Sequence, residues 1–209
     1  ENIEADGQIS LFAMPETNAF SALALAYGEE DIYYISTGKE VTSSYLLEMM
    51  ENAKVHTWIA MDLKSQLWLM DYGKNRLIYK TSNNISNQVV IEHQKQWKQY
   101  LIERNRFFDV TIGAYLLNPL KGEYPHDDIA KDYLGLIVPS EKELKEDICK
   151  LTCYRAYIAW KAKSVILQQL QEQGMDKLFY EVEMPLVFVL YDMEKEGICI
   201  DVHALKEYG

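Results

Sequence analysis

An α/β fold is predicted for this 209-residue chain on three observations. Short apolar runs broken by turn residues fill the first 36 positions, a helix and a strand alternate behind them, and the second half is mostly helical in pattern. Strands first, then an interleaved helix, then helices is the order of an α/β layer.

The apolar runs are Gln8 to Met14, Ala19 to Tyr27 and Asp31 to Ser36. Gly28-Glu29-Glu30 closes the second and Thr37-Gly38 the third, which predicts an antiparallel meander. Thr42-Ser43-Ser44 offers hydroxyl caps before the amphipathic stretch Tyr45 to Met50. A strand is expected at Val55 to Ala60 and a helix from Leu63 to Tyr72, stopped by Gly73. Residues 75–80 suggest a strand and 89–104 a polar surface helix, with 74–106 the least readable stretch. Beyond it the pattern predicts helices at Asp109 to Leu117 and at Asp127 to Tyr133, the latter ending at Gly135. Longer helices follow from Glu141 to Gln173, ending at Gly174, and from Met175 to Lys195, ending at Gly197. Met184-Pro185 marks a kink or a helix start within the last of these, and a short strand with a cap at Asp201 follows.

Composition narrows the function. Lys+Arg 21 against Asp+Glu 32 leaves a net charge of −11, which disfavours a dedicated basic nucleic-acid binder. The cysteines Cys149, Cys153 and Cys199 lack CxxC spacing, so neither a disulfide framework nor a zinc ribbon is expected, and reduced thiols in the cytoplasm are the simplest reading. Cys149 and Cys153, four apart on a helix, mark one helix face. His56, His93, His126 and His203 show no metal-binding spacing, and neither G-x-S-x-G nor a phosphate-binding glycine loop occurs. Trp58, Trp68, Leu67 and Leu69 read as core. Arg155, Lys161 and Lys163 form a modest basic cluster on the long helix, read as a solvated face before a phosphate contact. The chain has no initiator Met and reads as a segment of something larger.

Two stretches are more specific. Phe108-Asp109-Val110-Thr111-Ile112-Gly113-Ala114-Tyr115-Leu116-Leu117-Asn118-Pro119 is followed by Asp128-Ile129-Ala130-Lys131-Asp132-Tyr133-Leu134-Gly135. Further on, Glu181-Val182-Glu183-Met184-Pro185-Leu186 continues through Met193-Glu194-Lys195-Glu196-Gly197-Ile198. The first resembles the F-D-x-x-x-x-A-Y-L-L-[DN]-P and D-[IL]-A-x-x-Y-L-G segments of the 3′–5′ exonuclease domain of bacterial DNA polymerase I, the family A repair polymerase. The second resembles the E-x-P-L-x-x-x-L-x-x-M-E-x-x-G-[IV] segment that opens its polymerase domain. The resemblance implies an RNase H-like 3′–5′ exonuclease fold, a mixed sheet with an initial antiparallel meander and flanking helices. It would span residues 1–175, with 176–209 as the N-terminal helix of the polymerase domain.

Phosphodiester hydrolysis in this family uses two divalent ions held by clustered carboxylates. The resemblance implies three acid-bearing motifs, and each departs here. In the D-x-E motif Met14 stands where the first acid belongs and Glu16 is retained. A thioether is a soft, weak ligand for Mg²⁺. In N-[LF]-K-x-D the chain reads Asp62-Leu63-Lys64-Ser65-Gln66, with an amide at the acid position. The Y-x-x-x-D motif should fall at 150–158, a window without carboxylates; Glu146 and Asp147 lie one or two turns earlier. Asp62 and Asp109 are read as helix caps before relocated ligands.

A single retained carboxylate cannot hold two hard cations. Met14, Glu16 and Gln66 are therefore expected to be vestigial site positions, with no catalytic or metal-binding residue and no nucleic-acid-binding residue assigned. The resemblance implies a fragment of a DNA-directed DNA polymerase whose exonuclease domain serves as a scaffold for the polymerase domain of the same chain. DNA would be met through that parent, with no membrane partner and a monomeric fragment. No cofactor is expected for the fragment, although Mg²⁺ is implied for the parent. The rival readings are an active nuclease with rearranged acidic ligands and a single-stranded DNA-binding module.

Overall fold

Five strands form one mixed sheet: β1 (Gln8–Glu16), β2 (Ala19–Ala26), β3 (Ile32–Ser36), β4 (Thr57–Ala60) and β5 (Phe107–Asp109). Their order is β3-β2-β1-β4-β5. The computed structural model describes residues 8–16, 19–53, 55–69, 106–197, 206 and 208, with the backbone alone at 14–16, 19, 51 and 52. The strand and helix expected within 74–106, the strand at 198–200, the cap at Asp201 and Cys199 lie outside the described residues.

The expected meander is present. β1 pairs antiparallel with β2, and β2 with β3, while β4 and β5 add in parallel beside β1. β1 is the central strand, and Ile9, Ser10, Leu11, Phe12 and Ala13 are all buried. Its register with β2 shifts between Met14 and Pro15. Proline cannot donate to the ladder, so the strand bends at its C-terminal end.

Helix α1 (Ser43–Asn52) begins where the hydroxyls predict, with Thr42 Oγ1 accepting the Tyr45 N–H at 3.2 Å. Residues 63–69 form α2. The short strand β5 was not expected; it precedes α3 (Val110–Leu117), and α4 (His126–Leu134) ends at Gly135 with φ 65°. The helix expected from Glu141 starts later, as α5 (Ile148–Glu172). Ser140 N–H and Oγ–H both donate to Glu143 Oε2 at 2.8 Å, closing a separate turn, and Asp147 caps α5 by accepting the Lys150 N–H at 3.1 Å. The last helical stretch is divided into α6 (Asp176–Leu178), a π-helical turn (Phe179–Glu183) and α7 (Met184–Glu196). Pro185 lacks an N–H, so the regular ladder breaks behind it, as Met184-Pro185 predicts.

Helix α5 crosses the sheet and supplies much of the core through Ala156, Ile158, Ala159, Ala162, Ile166 and Leu170. Its alanines let backbone and sheet approach closely. Helix α7 joins the same core: Phe188 packs on Phe107 with ring centroids 5.9 Å apart, and Trp68 meets Tyr191 edge-on at 5.2 Å. Lys64 pairs with Glu194 at 2.5 Å beside that aromatic contact. Among the described residues no helix is long and apolar enough to cross a membrane.

Helices α3 and α5 meet at Gly113, where an added Cβ would lie 2.5 Å from Ile166 Cγ2. A β-branched side chain buried in a helix has little room to rotate away. Gly113→Ala is therefore expected to destabilise the fold by about 1–2 kcal/mol despite alanine's better helix propensity, as read from chemical denaturation.

Candidate functional site

The carboxyl ends of β1 and β4 open onto a cavity of about 470 Å³. Phe12 and Ala13 of β1, Asp62 and Gln66 around α2, Thr111 of α3 and Arg155 of α5 line it, with Glu123, Tyr124 and Glu141 at its rim. This is the place where the D-x-E and N-[LF]-K-x-D positions were expected to converge. β1 carries the backbone of Met14 and Glu16 to this end of the sheet.

Gln66 is 2% exposed, and its Oε1 accepts the Ala13 N–H at 2.7 Å. The reason lies in strand lengths. β4 stops at Ala60, opposite Leu11, so among the described residues the β4-facing edge of β1 has no strand partner beyond that point. A buried N–H there needs an acceptor, and the Gln66 amide supplies it. The side chain at the second motif's acid position is thus committed to the backbone of the first motif's strand.

Asp109 is also 2% exposed and holds together the two helix starts at this edge. One carboxylate oxygen, Oδ2, accepts the Leu63 N–H at 2.7 Å. The other, Oδ1, accepts the N–H groups of Thr111 at 2.8 Å, Asp62 at 3.3 Å and Ile112 at 3.4 Å. The expected cap of α3 is therefore present, and the same carboxylate caps α2, which local sequence gave no means of reading. Burial pushes the Asp109 carboxyl up to about 6, and the nearby Asp62 charge adds to the rise, against the lowering effect of the N–H donors.

Asp62 itself sits at φ 57°, a left-handed conformation that short polar side chains tolerate. Its N–H is held by Asp109 and by Thr111 Oγ1 at 3.1 Å, while its carboxylate accepts from Ser65 N–H at 3.4 Å and Ser65 Oγ–H at 2.5 Å. Asp62 is a cap of α2, as read. Asp147 caps α5 and pairs with Lys150 at 2.8 Å.

The basic cluster is not a plain solvated face. Arg155 donates through Nε at 3.1 Å, and again through Nη2, to Glu141 Oε1, and its guanidinium lies 4.6 Å from the centre of the Phe12 ring. Lys163 donates to Gln8 Oε1 at 2.9 Å and its ammonium is pushed below the usual range by burial. Lys161 pairs with Glu29 at 3.8 Å and lies near the Tyr157 ring. Arg155 lines the cavity, a position that the motif reading missed. Its signal was visible, since it is a cation inside the 150–158 window where the family pattern calls for an acid. Cys149 and Cys153 share a face of α5, and burial pushes the Cys153 thiol up to about 11, away from thiolate chemistry. Among the described residues no group of three or more His, Cys, Asp or Glu side chains is placed to hold a metal ion.

Two outcomes follow from the caps. Gln66→Ala leaves the Ala13 N–H buried without an acceptor and should cost about 1–3 kcal/mol in chemical denaturation. Asp109→Asn replaces an acceptor with an NH₂ group facing buried N–H donors and should cost a similar amount, about 1–3 kcal/mol. The pH dependence is separable. A carboxyl raised in the folded state from 3.8 to about 6 contributes stability fully present below about pH 4 and lost as pH rises through 6. The wild-type advantage over Asp109→Asn should therefore shrink between pH 4 and pH 6.5, measured as unfolding free energies at each pH.

No protein-family model matches the chain. It is 31% identical over 113 residues to DNA polymerase I of Bacillus subtilis, covering 49% of this chain and 13% of that protein. DNA polymerase I of Borreliella burgdorferi is 28% identical over 167 residues, covering 71% of this chain and 18% of that protein. The chain thus spans less than a fifth of the length of these relatives. Among solved structures, the POL domain of Pol1 from M. smegmatis, in complex with DNA primer-template and dNTP, superposes with a TM-score of 0.62 at 16% identity, over 95% of this chain and 30% of that one. Brucella melitensis NrnC bound to pGG superposes with the same TM-score at 12% identity, over 97% of this chain and 93% of that one. The five-stranded mixed sheet with its opening meander is therefore the exonuclease-like fold, and the chain is homologous to the 3′–5′ exonuclease-like region of bacterial DNA polymerase I over a minor part of that enzyme's length.

Proposed function

We propose that this chain is a non-catalytic exonuclease-fold module of a DNA polymerase I, residues 1–175, joined to the first helix of the polymerase domain, residues 176–209. Its role is to support the polymerase domain of the same polypeptide. The observation that carries this reading is Gln66: the residue at a metal-binding acid position is neutral, buried and already accepting a main-chain N–H of β1. A carboxamide so placed offers no anionic oxygen to Mg²⁺.

The surroundings support the same reading. Asp62 and Asp109, the nearest candidates for relocated ligands, are engaged in capping two helices. Arg155 brings a positive charge to the cavity, which opposes a second positive charge from a metal ion. Helix α7 supports the scaffold role. Its inner face, Met184, Val187, Phe188 and Tyr191, is buried against the exonuclease-like body. Its outer face exposes Leu186, Val189, Leu190 and Met193, with Val182 just before it, an apolar stripe suited to a following domain. The parent would extend a primer with Mg²⁺-bound deoxynucleotides in the cytoplasm, and DNA would be bound by that larger enzyme. The single-stranded DNA-binding alternative is disfavoured by the engagement of Arg155, Lys161 and Lys163 with acceptors of the same chain.

Incubation of the chain with a 5′-labelled single-stranded oligonucleotide and Mg²⁺ or Mn²⁺ tests the proposal. The expected result is an oligonucleotide of unchanged length. Metal-dependent shortening that disappears in Glu16→Ala would establish an active nuclease and overturn it.

A further inference from the structure

Strand β3 ends the sheet on the side away from β5. Two bonds just beyond its ends fix its hydrogen-bonding phase: Thr37 N–H donates to the Ser21 carbonyl at 2.8 Å, and Tyr27 N–H to the Asp31 carbonyl at 3.0 Å. In an antiparallel pair the main-chain groups of successive residues point alternately to either side. Asp31, Tyr33, Ile35 and Thr37 therefore turn their N–H and C=O groups to β2, and Ile32, Tyr34 and Ser36 turn theirs outward. Among the described residues nothing pairs with that outer edge. It also lacks the devices that blunt an exposed edge. Ile32-Tyr33-Tyr34-Ile35-Ser36 carries no charge and no proline, and its register with β2 runs without a bulge. Tyr33 is half exposed and stacks on Tyr27 at 5.5 Å, while Ile32 and Tyr34 are each more than a third exposed.

We propose that the outer edge of β3 is a self-association surface, occupied by β3 of a second copy of this chain running antiparallel about a two-fold axis at Tyr34. The outward groups lie symmetrically about that residue. Ile32 then faces Ser36 of the second copy, Tyr34 faces its own counterpart, and each outward N–H meets a C=O. Between them Tyr33 comes opposite Ile35 of the second copy, an aromatic and β-branched pair that adds to the ladder. Charge selects this arrangement. The turn Glu29-Glu30-Asp31 precedes the strand and Lys39 follows it. A parallel alignment sets the acidic turn against its copy, whereas the antiparallel one sets it against Thr37-Gly38-Lys39. A strand without charge along its whole length also buries no ionised group in the seam. The seam is short for a stable interface, and each chain carries a net charge of −11. The association is therefore weak, and it strengthens as salt screens that repulsion. The monomeric fragment expected from the sequence is the dilute form.

Sedimentation equilibrium of the chain at loadings from about 10 μM to about 1 mM, in low and in high salt, tests the proposal. The weight-average mass should rise with loading from 24.3 kDa toward twice that value, and further in high salt at a given loading. Amide hydrogen exchange on the same samples locates the contact. Ile32, Tyr34 and Ser36 should exchange about tenfold more slowly at the high loading, with Tyr33 and Ile35 protected at both. Both readings use the wild-type chain, so they stand whether or not a variant folds. Tyr34→Lys sets like charges face to face on the axis and should keep the mass of a monomer, while Tyr34→Phe should associate as the wild type does. Tyr34→Pro removes an outward N–H and spares the bonds to β2, and it should also stay monomeric. A wild-type mass of 24.3 kDa at every loading, or Tyr34→Lys associating like the wild type, would overturn the inference. So would a doubled mass with exchange at Ile32, Tyr34 and Ser36 unchanged, which places the contact on another face.

Discussion

The buried carboxylate of Asp109 is the interaction on which the carboxyl edge of the sheet depends. Two helices start there, α2 after β4 and α3 after β5, and each presents N–H groups that its own backbone cannot satisfy. Asp109 is almost fully enclosed, so its carboxylate reaches them from within the fold. One side chain meets both demands, with Oδ2 on Leu63 and Oδ1 shared among Thr111, Ile112 and Asp62. This fixes the first turn of α2 relative to β5, and so determines where Gln66, one turn further along, reaches β1.

The same requirement recurs at Gln66. β1 outruns β4, its neighbour's ladder ends at Ala60, and a side-chain oxygen of Gln66 accepts the next inward N–H, that of Ala13. In a metal-dependent nuclease the acids at this edge must keep oxygens free for cations. Here Gln66 and Asp109 are turned to main-chain N–H groups, Asp62 to Ser65, and Glu141 to Arg155 instead. The fold is retained because its core, carried by β1 and the small residues of α5, is independent of whether that edge holds ions.

Local chemistry made much of the fold legible. The meander followed from turn residues between apolar runs, α1 from its hydroxyl cap, and the ends of α4, α5 and α7 from Gly135, Gly174 and Gly197. What escaped was set by competition or by distance. β5 is three residues long and runs directly into α3, so its pattern merges with the helix. The start of α5 was displaced to Ile148 because Asp147 accepts the Lys150 N–H, a donor that a continuous helix from Glu141 would bond within its own backbone. At the site, the motif positions Met14, Glu16 and Gln66 could be named from their neighbours in sequence. The partners of Gln66 and Asp109 could not, since Ala13 lies 53 residues from Gln66 and Leu63 46 from Asp109. Arg155 was read as solvated because its carboxylate, Glu141, lies 14 residues upstream on a connection whose path only the fold reveals.

Paramagnetic relaxation by Mn²⁺ reads most directly whether this edge serves the backbone or a cation. In a titration of the isotope-labelled chain, the account predicts that the Phe12 and Ala13 amides and the Gln66 side-chain amide keep their line widths until Mn²⁺ broadens the whole spectrum indiscriminately. Selective, saturable broadening of those three signals at low Mn²⁺ would place an ion at the end of β1 and contradict the account.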